Sequence, residues 1–378
     1  MNNVRPSRLY NSKKFAIFIQ SIEKISDPRL DRRKKHPLVN IIVVIVFSML
    51  GGANNPSEIV RFGKRHERWF RSVLTMEHGI PSHDTIGRAL GFINPSELSH
   101  WLNFWIDKVH EKNGPKQIAI DGKEDHANQF HCLRALDVNN NMVLAHAQVR
   151  PGTNEITTAP ILLRKLTLKN TIVSVDAIMT QKKIARQIIN NGGDYVCALK
   201  RNHGQLYEDV KLYLDDIENN NDLIGTFEKY ETLDKGHGRI EKRMCITTSK
   251  IEWLKQRFQW KHITSISCIE RTRVVKGKSE SGKYYFISSL NSDAHLIAGV
   301  VRNHWSIENQ CHRHLDINFD SDHSTLSHFN AALNLAIFKD FALMLLQNTD
   351  STISIKEKRI QNDHQFSVLL KTLLKPHF

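Results

Sequence analysis

The stretch Gln117-Ile118-Ala119-Ile120-Asp121-Gly122-Lys123 (QIAIDGK) decides how the chain is read. Ile118-Ala119-Ile120 has the texture of a strand inside a core, and the next residue is an acid. A carboxylate at the end of a buried strand is costly unless it is paired, hydrogen-bonded or bound to a cation. A second stretch repeats the pattern: Ile172-Val173-Ser174-Val175 ends in Asp176. Strand ends are where α/β proteins place ligand sites. Two such acids on neighbouring strands resist joint ionisation unless a cation lies between them. Their oxygens suit Mg²⁺ or Mn²⁺, and a pair of such ions can activate one oxygen and stabilise another at a phosphodiester.

Around these two strands the texture is mixed. HCLRALDV, MVLAHAQV and DYVCALK add β-rich runs, and ITTAPILLRKL (156–166) and TQKKIARQIINNGG (180–193) read as helices between later strands. Asn139, Asn140 and Asn141 form a natural turn joining the second and third strands. The order three strands, helix, strand, helix, strand predicts an α/β fold with an antiparallel start and parallel crossovers. From about 201 to 290 an acidic helix leads into a β-rich insertion, after which the chain returns to helix.

Residues 1–112 read as all-helical. Leu38–Ala53 is an apolar run too short and too interrupted for a comfortable membrane span, so it predicts a buried helix. Asn55–Leu74 reads as one amphipathic helix with Ser57 as its cap. Gly79–Ile93 is a turn and a short basic helix, readable as a helix-turn-helix head or as a plain hairpin.

Composition points to nucleic acid. The 378 residues carry a formal charge of +14, a surplus that favours polyanions. Five scattered cysteines form no CxxC pair, which argues against a disulfide framework or a cysteine-type zinc site and suits a reducing cytosol. There is no HExxH and no GxSxG, so zinc-protease and serine-hydrolase chemistry lack their motifs.

A third carboxylate would complete a cation cage, and several compete. Glu308, in Val301-Arg302-Asn303-His304-Trp305-Ser306-Ile307-Glu308, has His304 and His312 one helical turn to either side. Glu155, Asp316, Asp320 and Asp322 are alternatives that spacing does not separate.

AIDGK, GTNEITTAPILLRKL, IVSVDAIMTQKKIARQIINNGGDYVCALKRNHGQL, KGHGRIEKR and VRNHWSIENQCHRHLDINF follow one another in this order. The ordered set resembles the H-repeat-associated family of insertion-sequence transposases, which are DDE-type enzymes. DPRLDRRKKHPL and GIPSHDTIGRAL resemble that family's associated helical domain. The resemblance implies a ribonuclease-H-like mixed sheet with a β-rich insertion at about 201–290 inside a catalytic domain of 113–346. A helical, DNA-binding domain of 1–112 would precede it and a tail of 347–378 would follow.

Carried over by position, Asp121, Asp176 and Glu308 match the three acids, at gaps of 55 and 132 positions. They would hold two Mg²⁺ (or Mn²⁺) ions, with Lys123, Lys200, Arg239, Arg302, His304 and Trp305 against DNA. The implied activity is cleavage and strand transfer at the element's double-stranded DNA ends, by a homodimer in the bacterial cytoplasm, associated with the nucleoid and with no membrane partner. Glu124, Asp125 and His126 stand where the family carries a more basic loop. That departure keeps open a catalytically decayed DNA-binding derivative, and a separate alternative is a Mg²⁺-dependent nuclease of host DNA with no joining step.

Overall fold

The computed structural model describes residues 13–30, 34–109, 116–125, 130–217, 219, 225–236, 238–326 and 328–374. The expected boundary at 112/113 and His126 lie outside the described residues.

Among the described residues six helices come first: α1 (Lys13–Ile22), α2 (Leu38–Leu50), α3 (Pro56–Arg65), α4 (Glu67–Val73), α5 (His83–Phe92) and α6 (Pro95–Val109). Because α2 is apolar all round, it is buried all round, with only Val39 partly exposed. Its single amide, Asn40, is satisfied by donating to the Thr75 carbonyl at 2.7 Å. The helix expected over 55–74 is broken at His66 into α3 and α4. Its cap is Asn55 rather than Ser57: the Asn55 side chain accepts the Glu58 N–H at 3.0 Å, and Pro56 takes the first helical position.

β1 (Gln117–Asp125) pairs antiparallel with β2 (Phe130–Asp137), and β2 with β3 (Met142–Gln148). The turn between β2 and β3 puts Asn141 at φ 48°, the left-handed region that Asn tolerates. Then come α7 (Glu155–Leu163), β4 (Ile172–Val175), α8 (Lys182–Asn190) and β5 (Asp194–Leu199). The two crossovers place β4 parallel to β1 and β5 parallel to β4. A capping box between Asn154 and Thr157 starts α7.

After α9 (Gln205–Asp216), the β-rich region forms β6 (Glu228–Gly236), β7 (Arg239–Thr248), β8 (Ser265–Val275) and β9 (Lys278–Ser288). These strands do not stand apart. β9 pairs antiparallel with β5, so one mixed sheet runs β3-β2-β1-β4-β5-β9-β8-β7-β6. The insertion therefore covers what would otherwise be an open sheet edge.

The chain finishes with α10 (Ala294–His304), a π-helical turn (Ile307–His312), α11 (Arg313–Phe319), α12 (Phe329–Gln347), α13 (Ile355–His364) and α14 (Phe366–Leu374). The period-two alternation of β1 separates two cores. Ile118 and Ile120 face one with Leu162, Ile184 and Ile188 of α7 and α8. Ala119 faces the other with the early helices and α12.

Residues 347–374, in the stretch expected as a tail, add Ile355, Leu369, Leu370, Leu373 and Leu374 to that second core. Leu369 and Leu373 are fully buried, Phe366 stacks on Trp69 at 4.2 Å, and Arg359 donates to the Met49 and Ala53 carbonyls. α12 is long and apolar enough to cross a membrane, but 89% of its apolar window is buried inside the protein. It also carries Asn334, Lys339 and Asp340 in the core.

Candidate active site

Asp121 lies on the face of β1 opposite to Ile120, toward the helical stretch that follows β9. That stretch presents Glu308 and His312 from the π-helical turn, a form concentrated at functional sites. His312 Nδ1 is 3.7 Å from Asp121 Oδ2 and 3.6 Å from Glu308 Oε1. One donor atom from each of the three lies within 4.8 Å of the others. The Glu308 side chain is half exposed while His312 is buried, so the group opens to solvent on one side only.

The electrostatics follow from this crowding. Burial pushes the Asp121 carboxyl well above the carboxylate range, and the nearby Glu308 and Asp176 carboxylates push it further. Glu308 moves the other way, held down chiefly by its bond with His312. Asp176, just beyond β4, is also raised by burial and by the field of Glu155. The Ile178 and Met179 N–H groups, each donating to Asp176 Oδ1 at 3.1 Å, and the Lys200 charge work against that rise.

This donor set fits a divalent cation. Two carboxylate oxygens and an imidazole nitrogen converge, and burial, reinforced by the neighbouring carboxylates, disfavours the charged form of Asp121. Asp176 stands outside the tight group of three but within reach of its field.

On the other side of the strand, Glu155 at the start of α7 bonds His131 of β2, Oε1 to Nε2 at 2.8 Å. A Cβ on Gly122 would come within 1.8 Å of that Glu155 oxygen and 2.8 Å of the His131 nitrogen. Gly122 is thus the gap through which the pair lies against β1, one residue from Asp121.

Among the competing acids, Asp316, Asp322 and Asp125 surround Lys123 at 2.6, 2.9 and 3.4 Å. This corrects the expectation for Lys123: it is buried, and its charge is taken up inside the protein by three carboxylates rather than offered to a phosphate.

The other expected DNA contacts divide. Lys200 is exposed and close enough to Asp176 to lower its pKa, and Trp305 is 53% exposed one turn before Glu308. His304 turns inward, its Nδ1 3.0 Å from Ser174 Oγ on β4, and burial lowers its pKa to about 4. Arg302 pairs with Asp234 of β6, and Arg239, at the start of β7, lies 4.0 Å from Glu241.

The sequence named His312 only as a neighbour of Glu308 and gave no hint of the His131–Glu155 pair. The first was readable from its i+4 spacing. The second depends on strand pairing between distant residues and leaves only the glycine as a trace.

The mixed sheet thus sets Asp121, midway along β1, against Glu308 and His312 of a late helical turn, with Asp176 beyond β4 within range of their field. A family model for the transposase DDE domain matches residues 108–345, and a DDE_Tnp_1-associated model matches 19–106. The chain belongs to the DDE transposase family, with the H-repeat-associated transposases of mobile elements.

It is 30% identical over 354 residues to "Putative transposase YncI" of Escherichia coli O157:H7, covering 89% of each chain. It is 29% identical over 345 residues to "H repeat-associated putative transposase YhhI" of Escherichia coli K12, covering 87% of this chain and 90% of that protein. "Putative protein YbfL" of the same strain is 30% identical over 345 residues, with 87% of this chain and 90% of that protein covered.

Proposed function

We propose that this protein cuts double-stranded DNA at the ends of its own element and joins the freed ends to target DNA. The supporting observation is the convergence of Asp121 and Glu308, 187 positions apart, on one buried histidine. The strand order β3-β2-β1-β4-β5, with β2 antiparallel to its neighbours, supports a ribonuclease-H-like core, and the six early helices support an associated helical domain.

In this reading Asp121, Asp176 and Glu308 hold divalent cations, two Mg²⁺ or Mn²⁺, with His312 steadying Glu308. When bound, these ions supply charge that favours an attacking oxygen and a departing one at phosphorus. The residues themselves do the positioning. β1 and β4 fix the two aspartates on adjacent parallel strands, and the Ile178 and Met179 amides fix the Asp176 carboxylate. Water adds to phosphorus and breaks a phosphodiester into a 3′-hydroxyl and a 5′-phosphate; that 3′-hydroxyl then attacks a phosphodiester of the target, forming a new phosphodiester and releasing the target's own 3′-hydroxyl. Lys200 and Trp305, exposed beside the acids, hold the backbone and stack on a base; Arg302 and Arg239 add charge further out. Two DNA ends call for two active sites, hence a homodimer at the nucleoid.

The test is Mg²⁺-dependent cleavage and strand transfer on element-end DNA with Asp121→Asn, Asp176→Asn and Glu308→Gln. Each is expected to lose activity by at least about 10³-fold, in line with loss of an essential catalytic group. Unchanged cleavage in one variant removes that residue from the site. A wild-type protein that retards the DNA but never cuts it in any divalent metal overturns the enzymatic reading. Cleavage with no strand-transfer product favours a plain nuclease.

A further inference from the structure

Lys123 lies two residues beyond Asp121 on β1, so both side chains leave the same face of the strand. Asp125 continues that row. Facing it, Glu308, His312 and Asp316 recur at four-residue intervals along the helical stretch. The two rows match in pitch. Two residues of strand rise about 6.7 Å and four of helix about 6 Å.

The contacts follow this match. His312 Nδ1 reaches Asp121 at 3.7 Å, and one step on, Lys123 Nζ reaches Asp316 Oδ1 at 2.6 Å. The lysine's third partner, Asp322, comes from the turn after α11, at 2.9 Å.

We infer that Lys123 is a positioning residue: through Asp316 it clamps the helical stretch bearing Glu308 onto the strand bearing Asp121 and so sets the spacing between the two acids. The inference rests on the functional reading above, since it gives that site its geometry.

The physical case is one of leverage. Glu308 is half exposed on a π-helical turn whose Ile307 and Cys311 are buried in the core. Its contact with His312, at 3.6 Å, lies within its own helical segment, and His312 in turn reaches the sheet only through the longer 3.7 Å approach to Asp121. The Lys123–Asp316 ion pair crosses from helix to sheet at closer range, 2.6 Å, and it is sheltered: the lysine is only 8% exposed. A sheltered ion pair is much less screened than a surface one. Asp322 also neutralises Lys123, but it lies beyond α11, further along the chain from the turn that carries Glu308.

That difference supplies the experiment. Full-length wild type, Asp316→Ala, Asp316→Glu and Asp322→Ala are compared for Mn²⁺ affinity, by the electron paramagnetic resonance of unbound Mn²⁺, and for DNA cleavage kinetics. Asp316→Ala is expected to weaken Mn²⁺ binding and lower kcat by roughly 10- to 100-fold, as loss of supporting contacts to metal ligands does, with KM for DNA nearly unchanged. Asp316→Glu is expected to recover most of that loss. Asp322→Ala, which removes the same charge from the same lysine, is expected to lose far less on both readouts.

Equal losses in Asp316→Ala and Asp322→Ala, or a loss confined to KM, overturn the inference, since a role in neutralising Lys123 alone predicts them. If Asp316→Ala does not fold, by circular dichroism, the isosteric Asp316→Asn takes its place with the same criteria. Wild type that binds Mn²⁺ and cuts DNA while the Asp316 variant matches it sinks only the clamp. Wild type that does neither sinks the functional reading, and the clamp falls with it.

Discussion

Removing Asp340 should be among the most damaging single changes away from the site. Arg134 stands opposite Asp121 in the β1–β2 ladder and is 2% exposed. Its Nε donates to Asp340 Oδ2 at 2.9 Å, and His146 Nε2 lies 2.6 Å from the same oxygen. Asp340→Ala leaves the guanidinium buried without its carboxylate, and among the described residues Nη1 already has no hydrogen-bond partner. Breaking a buried pair from one side costs about 3–5 kcal/mol. With an unfolding entropy of about 2.1 cal/mol/K per residue over 378 residues, Tm should fall by about 4–6 °C. Arg134→Met/Asp340→Ala, which removes both charges, should cost clearly less than the sum of the single changes.

The same pair predicts a pH effect. Burial acts to raise the Asp340 pKa, but Arg134 and His146 outweigh it and bring it down to about 2, below its ordinary 3.8. A depressed carboxyl contributes stability that is present above pH 3.8 and is lost as pH falls toward 2. Asp340→Ala should therefore flatten that acid limb. Urea titrations from pH 2 to 7, with thermal melts at pH 7, read both effects. A loss below about 1 kcal/mol at pH 7, the size of a surface pair, would refute the reasoning.

Two further outcomes follow from the site. Asp121 is raised in the metal-free protein, so the folded state binds more protons than the unfolded one above pH 3.8, and stability falls as pH climbs through that window. Asp121→Asn should then stabilise the protein in EDTA by roughly 0.5–2 kcal/mol at pH 7 while abolishing cleavage; a destabilised variant contradicts this. Gly122→Ala would drive a methyl group into the Glu155 carboxylate and the His131 ring, displacing that pair from β1. A shift of about 1 Å beside a reacting centre costs up to about 10²-fold, so cleavage should fall at least tenfold with secondary structure intact; wild-type cleavage would show that the pair is not coupled to the site.

Much of the fold was legible because local pattern and tertiary placement agree. The apolar runs before Asp121 and Asp176 became adjacent parallel strands, and the all-apolar helix at 38–50 became core. Where the reading stopped, long-range packing decided. No local signal shows that β9 returns to β5 and fuses the insertion with the main sheet, because that pairing joins residues some ninety positions apart. The helix at Ile355–His364 is mostly polar, so no local pattern announces that it and Phe366–Leu374 complete the core around α2.

Lys123 is the clearest divergence at the site. A lysine beside a catalytic acid suggests phosphate binding, and only the fold shows three carboxylates already around it. His312 was within reach of the sequence, since a histidine four residues after a proposed ligand shares its helix face.

The central claim is that Asp121, Asp176 and Glu308 together hold the catalytic cations. Anomalous scattering from crystals of the full chain soaked in Mn²⁺ tests it most directly. The account predicts a peak bounded by those three carboxylates, lost in Asp121→Asn. Manganese bound elsewhere, with nothing between Asp121 and Glu308, would contradict it.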